Sequence, residues 1–405
     1  KKGEYMKVIV IGGGASGIIA AIKASEVSDV TIIEGNSKIG KKILVTGNGR
    51  SNFWNESISE RNYNEESHEF LKDILPIKNE VYNFLTNSLG ITPTNKNGYL
   101  YPRSKTASSI TTVLEKRIKR NNIEVIYDLK VTKITTENNN IKIELSDNTT
   151  MTCDKLIIAT GGKAASKTGS DGSGYNLLKA LDIEITPVLP ALVPLIINDK
   201  TRLDWSGVRT DAKLSVYENN KIIKEELGEL QLTNTGISGI VTFNISGLIT
   251  SLLETKKQFE VYIDFLPEIE DISTFLEEKN KNANPESIEE LLETMINYKL
   301  LNSLLSNCHI NKNQKWTELS QEDKKELIST LKKYKINISR TEDFEKAQVT
   351  RGGVCLNEIT SNFSLKKYPN IKVIGEILNV DGICGGYNLA FAFMSGYIAG
   401  SSIND

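Results

Sequence analysis

The run "VIVIGGGASGIIAAI", residues 8–22, leaves this chain little choice of fold at its start. Residues 7–11 read as a short buried strand. Glycines 12, 13, 14 and 17 follow, residues 18–26 have helical character, and residues 30–33 form a second buried strand ending in Glu34. Strand, turn, helix and strand at this spacing make a parallel crossover. Gly12, Gly14 and Gly17 form G-x-G-x-x-G, weak alone but strengthened by this context. Gly12 permits the tight turn, Gly14 lets a pyrophosphate approach the backbone, and Gly17 lets the helix pack on the strand. The helix start offers N–H groups and partial positive charge to phosphates. Glu34 is placed to accept hydrogen bonds from ribose hydroxyls. The plain alternative is a glycine turn in an α/β core with no ligand.

At 405 residues the chain is too long for one ordinary core, so two or three domains are expected. Charged residues make up 25% and 49 Lys and Arg stand against 51 Asp and Glu, with no long basic block. A nucleic-acid partner is therefore not expected. Cysteines 153, 308, 355 and 384 form no CxxC, and His68 and His309 are the only histidines, so no metal site is expected. Sparse cysteines fit a reducing compartment. The apolar run near the start contains four glycines and a Lys, which suits a Rossmann turn better than a signal peptide or membrane span, and a cytoplasmic location is expected.

Further along, "GNSKIGKKILVTGNGRSNFWN" reads as a long functional loop. Residues 66–90 look helical with a break at Pro76. "ITPTNKNGYLYP" reads as a hairpin turning at Asn97-Gly98, and residues 106–120 as a helix. Strand patterns recur at 123–127, 130–136, 140–146 and 154–159, the last running into "ATGG". The prolines of "PVLPALVPLII" mark a boundary. The expected organisation is a first Rossmann-type part at 6–190, a β-rich insert at 191–267 (a small barrel or sandwich), a helical insert at 268–345, and a return to the first domain at 346–405. In the helical part, Asn284 is the expected N-cap before Pro285, and Ser320 opens a capping pattern.

The far end decides between cofactors. "ATGG" at 159–162 suits the adenosine side of a two-part FAD domain. Residues 375–376 ("GE") and 381–382 ("DG") follow another strand and bring carboxylates toward a ribityl chain or phosphates. "NVDGICGGYNLAFAFMSGYIAG" then starts a second helix from glycines. A simple NAD domain has no use for such a return. The first helix start would meet the pyrophosphate, and the last would meet the electron-rich edge of the flavin ring. The rest of that last helix reads as close-packed core.

The blocks "GGGASG", "GKKILVTGNGRSN", "YPRSKTAS", "ATGGKAASKTGSDGSGY", "TNTGISG", "VTRGGV" and "GEILNVDGICGGYNLAFAFMSGYIAG" resemble the BaiN-like bacterial FAD-dependent flavoprotein family, which includes an aminoacetone oxidase. The resemblance spans residues 12–400. It implies an α/β fold, a two-dinucleotide-type Rossmann FAD domain interrupted by an insert with a β-barrel part and a helical part. It implies non-covalent FAD lined by Gly12, Gly14, Ala15, Ser16, Gly17, Glu34, Lys42, Arg50, Asn52, Thr160, Gly161, Glu376, Asp381, Gly386, Asn388 and Leu389, with Val131 giving backbone contacts to adenine. Ser51 stands where the family often has Cys, which removes any redox role from that position here.

Tyr101, Arg103 and Tyr387 are candidates for the substrate side. Cys384 could be a redox thiol, but a small buried residue is the better reading, and no catalytic acid–base stands out. The expected activity is hydride transfer between flavin N5 and a small or medium organic substrate, with NADH, NADPH or oxygen as electron partner. No second G-x-G-x-x-G follows a strand, so nicotinamide docking would be transient. The alternatives are a flavin-dependent tRNA-modifying enzyme and a non-catalytic flavin-binding module.

Overall fold

The computed structural model describes residues 6–137, 140–198 and 203–405; residues 1–5, ahead of the motif, lie outside them. The chain divides into two compact units. One is formed by residues 1–189 and 348–405, the other by residues 190–347.

The first unit is built on a five-stranded parallel sheet. In chain order its strands are β1 (Lys7–Ile11), β2 (Asp29–Ile33), β3 (Glu124–Ile126), β4 (Lys155–Ile158) and β5 (Ile371–Val373). Their spatial order is β5-β4-β1-β2-β3. Ile11 lies level with Ile33 on one side and Ile158 on the other. The central strands are apolar along their length because both faces are covered, as parallel sheets require. Helix α1 (Ala15–Ala24) follows β1, and α2 (Ala107–Arg120) precedes β3. The last helix, α3 (Tyr387–Ser401), crosses α1 backbone to backbone. A Cβ at Gly396 would sit 2.3 Å from the Ser16 carbonyl oxygen, and one at Gly400 would sit 2.4 Å from that of Ala20. Both helices with glycine starts are thereby fixed to one another.

Two smaller sheets complete this unit. Residues 131–137, 140–145 and 150–153 form one; Trp54–Asn55, Tyr99–Pro102 and Pro93–Lys96 form the other. The hairpin turns at Asn97 and Gly98, both with positive φ (54° and 87°), the pairing that a tight two-residue turn demands. Pro76 falls in a 3-10 turn between the helices His68–Ile74 and Lys78–Asn83, as its missing N–H dictates.

The second unit carries a seven-stranded antiparallel sheet. Its order is Tyr334–Ile336, Glu260–Asp264, Arg209–Glu218, Lys221–Leu232, Gly236–Ser238, Leu195–Ile197 and Ile338–Thr341. Its two outermost strands are thus consecutive in the chain. Two sequence expectations need correction here. Residues 240–254, inside the stretch read as β-rich, form a 15-residue helix with buried Val241, Ile245 and Ile249. The sheet takes its outer strands instead from 334–341, in the stretch read as helical. The core joins strand residues such as Leu214 and Ile263 with helix residues such as Leu304 and Leu327 in one hydrophobic cluster.

Asn284 does not begin a helix. It ends Ile272–Ala283 in the left-handed conformation (φ 46°), which Asn tolerates, and Pro285 then blocks continuation. Ser287 is the N-cap, accepting the Glu290 N–H. Ser320 does cap Gln321–Lys332, in a reciprocal arrangement with Asp323.

Candidate functional site

A cleft of about 310 Å³ opens in the first unit at the C-terminal ends of β1 and β4. That is where open α/β sheets bind ligands. The turn after β1 supplies Gly12, Gly13 and Gly14, α1 supplies Ala15 and Ser16, and the end of β4 supplies Thr160 and Gly161.

The three motif glycines differ in what surrounds them. Gly12 has φ +103°, and a Cβ there would lie 2.4 Å from the Ala159 carbonyl oxygen. A Cβ on Gly17 would lie 1.9 Å from the Gly12 carbonyl oxygen, so this glycine serves helix–strand packing and does not line the cleft. Nothing lies within 4 Å of a Cβ on Gly14. Only the middle glycine faces open space, the side from which a pyrophosphate would approach.

Glu34 ends β2 and is buried. One carboxylate oxygen accepts the Gly13 N–H at 2.8 Å; the other accepts the Asn36 N–H at 2.8 Å and the Asn36 amide at 2.7 Å. A carboxylate offers about four acceptor positions, so capacity for a ribose hydroxyl remains. Lys42 and Glu376, 334 residues apart in sequence, pair at 2.7 Å. Glu376 also accepts the Thr350 N–H at 3.0 Å. Val131, Asn388 and Leu389 line the cleft as well.

Arg50, Asn52, Asp381 and Gly386 stand outside the cleft's lining. Arg50 is exposed on its glycine-flanked turn. Gly386 lies against Asn52: a Cβ on it would sit 2.9 Å from Asn52 Oδ1. Asp381 is buried, with Arg351 at 3.4 Å from Oδ2. Burial pushes its carboxyl up to about 6, against the pull of Arg351.

Of the substrate-side candidates, Tyr387 is buried and accepts a hydrogen bond from Tyr63 OH at its carbonyl. Tyr101 is half-buried near Gly47, and burial raises its phenol despite the nearby Arg50 charge. Arg103 is exposed. Cys384 is half-buried.

Sequence reasoning missed Asn36, Lys41, Ser170 and Asp171, which also line the cleft. Their loops, "GNSKIGKK" and "KTGSDGSG", carried the signal in their glycines and polar residues. Burial alone would raise the Asp171 carboxyl, but hydrogen bonds from Lys130 and Ser173 outweigh it and hold it near 2.

The cleft fits a dinucleotide. Neither α1 nor α3 has a side-chain cap or an acidic residue in its first turn, so their positive ends are not neutralised locally. The first turns of both border this one cleft, through Ala15 and Ser16 and through Asn388 and Leu389. Thr160 lines the cleft, while its Oγ1 is buried without a hydrogen-bond partner on the side of Gly174, where a Cβ would come within 1.9 Å of it.

Residues 6–402 match the family described as HI0933-like protein Rossmann domain. The chain belongs to this family. It is 37% identical over 403 residues to a 3-dehydro-bile acid delta(4,6)-reductase of Clostridium scindens, a match covering 97% of this chain and 98% of the relative. It is 29% identical over 404 residues to a ribosomal RNA dihydrouridine synthase of Escherichia coli, covering 97% of each. Among solved structures, it resembles a 3-ketosteroid-delta4-(5alpha)-dehydrogenase of Rhodococcus jostii RHA1 in complex with 4-androstene-3,17-dione. The TM-score is 0.52 at 14% identity, over 100% of this chain and 98% of that one, a likeness of fold alone. Membership of the HI0933-like family makes the chain an FAD-dependent oxidoreductase with a Rossmann-type FAD-binding fold. Among the described residues, no helix is long and apolar enough to cross a membrane.

Proposed function

We propose that the chain reduces a carbon–carbon double bond conjugated to a ring carbonyl, using FAD held non-covalently in the cleft. The relatives support this reaction type. The names of the relatives, a 3-dehydro-bile acid delta(4,6)-reductase and a ribosomal RNA dihydrouridine synthase, both denote saturation of a ring carbon–carbon double bond conjugated to a carbonyl. Bound FAD supplies the two-electron hydride carrier.

The observation that carries the reading is a pair of uncapped helix starts bordering one cleft, with Gly14 open. In this arrangement Gly12, Gly14, Ala15 and Ser16 hold the pyrophosphate, and Glu34 and Val131 hold the adenosine end. Thr160, Gly161, Lys42 and Glu376 hold the middle of the cofactor. Asn388 and Leu389 orient the ring, while Arg50, Asn52, Asp381 and Gly386 close round it. Tyr101, Arg103 and Tyr387 face the substrate. NADH or NADPH supplies the electrons, with oxygen as the competing partner. The closing strand order of the second unit supports reading its strands as a small barrel.

An absorbance spectrum of the purified protein comes first, followed by anaerobic titration with NADH and NADPH and then addition of a 3-oxo-4,6-diene bile acid. The visible flavin bands should bleach with a nicotinamide and return with the dienone. Colourless protein after soaking with FAD, or reduced flavin that only oxygen reoxidises, overturns the proposal.

A second substrate reading rests on the relatives named as ribosomal RNA dihydrouridine synthases, at 29% and 27% identity over nearly full length. Here the reduced ring is a uracil within RNA. Dihydrouridine measured by mass spectrometry in ribosomal RNA incubated with the reduced enzyme tests it. Unchanged uridine alongside active dienone reduction rules it out.

A further inference from the structure

The first unit carries a concentration of positive charge that extends well beyond the residues assigned to the cofactor and the substrate. Residues 36–55 contain Lys38, Lys41, Lys42 and Arg50 and no acid. Residues 86–123 contain seven basic residues, from Lys96 to Arg120, and one acid, Glu115. These two segments are far apart in sequence but form one substructure. Strand Trp54–Asn55 pairs with Tyr99–Pro102 of the hairpin. Helix α2 packs on the turn Ile43–Gly49, and Gly40 lies so close that a Cβ would be 2.9 Å from Thr111 Cγ2.

Helical spacing explains where the charges go. Ala107, Ile110, Thr111, Leu114 and Ile118 are buried, which turns Lys116, Lys119 and Arg120 outward. These three are exposed, as are Lys38, Lys41, Lys96, Arg103 and Lys105. Among the described residues, none of the eight has a carboxylate within ion-pair distance. Two lysines of this group, Lys38 and Lys41, also line the cleft. The charge therefore runs from the cleft's edge across the hairpin and along α2. Half-buried Tyr99 and Tyr101 lie in the same hairpin, and Tyr99 reaches Gly385 at the start of α3.

Exposed like charges repel one another, and carboxylates interspersed on the surface are the ordinary remedy. A face that omits them over two packed segments favours an extended anion. Unpaired lysines and arginines neutralise phosphates and release counterions, while aromatic rings beside them stack an unpaired base. An enzyme acting on a base must take it out of its stack, so it needs a grip on the backbone beside the reacting site.

We propose that the outer face of α2, the 93–102 hairpin and the Lys38–Lys41 loop is a docking surface for the phosphate backbone of RNA. This inference rests on the second substrate reading, that of uracil reduction, and it assigns the residues that would hold the RNA.

The test uses the FAD-loaded enzyme and fluorescently labelled hairpin fragments of ribosomal RNA. Binding is followed by anisotropy over a range of salt. The variant K105E/K116E/R120E alters exposed side chains outside the cleft, so its flavin content should match the parent. Its affinity should fall at least about tenfold at low salt, and the log–log salt slope should shrink by about one for each phosphate no longer neutralised. The neutral variant K105Q/K116Q/R120Q should fall in between, which separates the effect of charge from damage to the helix. No RNA binding by the parent at low salt overturns the proposal. So does binding that both variants retain in full, or equal competition by polyglutamate, which would show a surface indifferent to phosphate. Dihydrouridine formation is scored separately. RNA bound through this face but never reduced refutes the uracil reading alone; uridine reduced equally well by the triple variants refutes this surface alone.

Discussion

The two units treat charge in opposite ways. The first has 29 Lys and Arg against 25 Asp and Glu, and the second has 20 against 26. In the second unit lysines meet carboxylates repeatedly: Lys257 with Glu218, Lys312 with Glu289, Lys315 with Glu286, Lys324 with Glu277, Lys332 with Asp264 and Lys335 with Glu260. Those that are exposed stabilise by only about 0–1 kcal/mol each. The first unit instead keeps a row of unpaired cations and, among the described residues, buries four polar side-chain atoms without partners, on Asn52, Thr160, Tyr175 and Asp381, against the two indole nitrogens of Trp205 and Trp316 in the second. The unit that leaves more of its donors, acceptors and cations open is the one that carries the cleft.

The sharpest way to break this contrast is to fill the two glycines that differ most. Gly17→Ala forces a methyl group to 1.9 Å from the Gly12 carbonyl oxygen. It should cost about 3 kcal/mol or more, seen as a large fall in melting temperature together with loss of flavin. Gly14→Ala meets nothing within 4 Å. Its stability should stay within about 0.5 kcal/mol of the parent while flavin affinity, followed by fluorescence titration, drops at least tenfold. Equal melting losses in the two variants would contradict the division between packing and binding glycines.

In the second unit the expectation reverses. Leu304→Ala opens a cavity at a fully buried position and should cost about 2–5 kcal/mol by chemical denaturation. Flavin content at low denaturant should remain that of the parent. Flavin lost in step with Leu304 would erase the distinction.

Asp381 sharpens the contrast through pH. Its carboxyl sits at about 6 in the folded protein against an ordinary 3.8. The folded state therefore holds the proton more tightly than the unfolded one. Stability from this group is present below pH 4 and is lost as pH rises through 6, by up to about 3 kcal/mol. Asp381→Asn should flatten that slope in urea denaturation of the flavin-free protein between pH 4 and 7 and leave it more stable than the parent near pH 7. An unchanged slope would mean that Arg351 already compensates the carboxylate.

The smallest effect belongs to the ordinary surface of the second unit. Ser320→Ala removes a capping hydroxyl that accepts the Asp323 N–H and should cost about 1 kcal/mol, with no change in flavin binding or in turnover.

What the residues disclosed in advance depended on distance. The β1–α1 turn was legible because its strand, glycines and helix lie within a few residues and each has a local steric role. Glu34, Thr160, Gly161 and Glu376 were placed because each ends or follows a strand of the same sheet. The pairing of Lys42 with Glu376 was not legible, since nothing local joins residues 334 apart. Residues 334–341 form strands because partners elsewhere in the second unit hold them, and segments of three and four residues carry no periodicity of their own. The helix at 240–254 is apolar on most sides, so it lacked the stripe that marks a surface helix. At Asn284, a residue suited both to start and to end a helix was assigned the wrong one of the two.

Strand β5 and helix α3 lie beyond residue 370, after the whole of the second unit. During synthesis the parallel sheet therefore waits without one edge, and the cofactor's bed without its last wall, while some 158 intervening residues emerge and collapse. Flavin capture is then a late event in the making of this molecule, and a ribosome stalled before residue 386 would carry a finished insert beside an unfinished host.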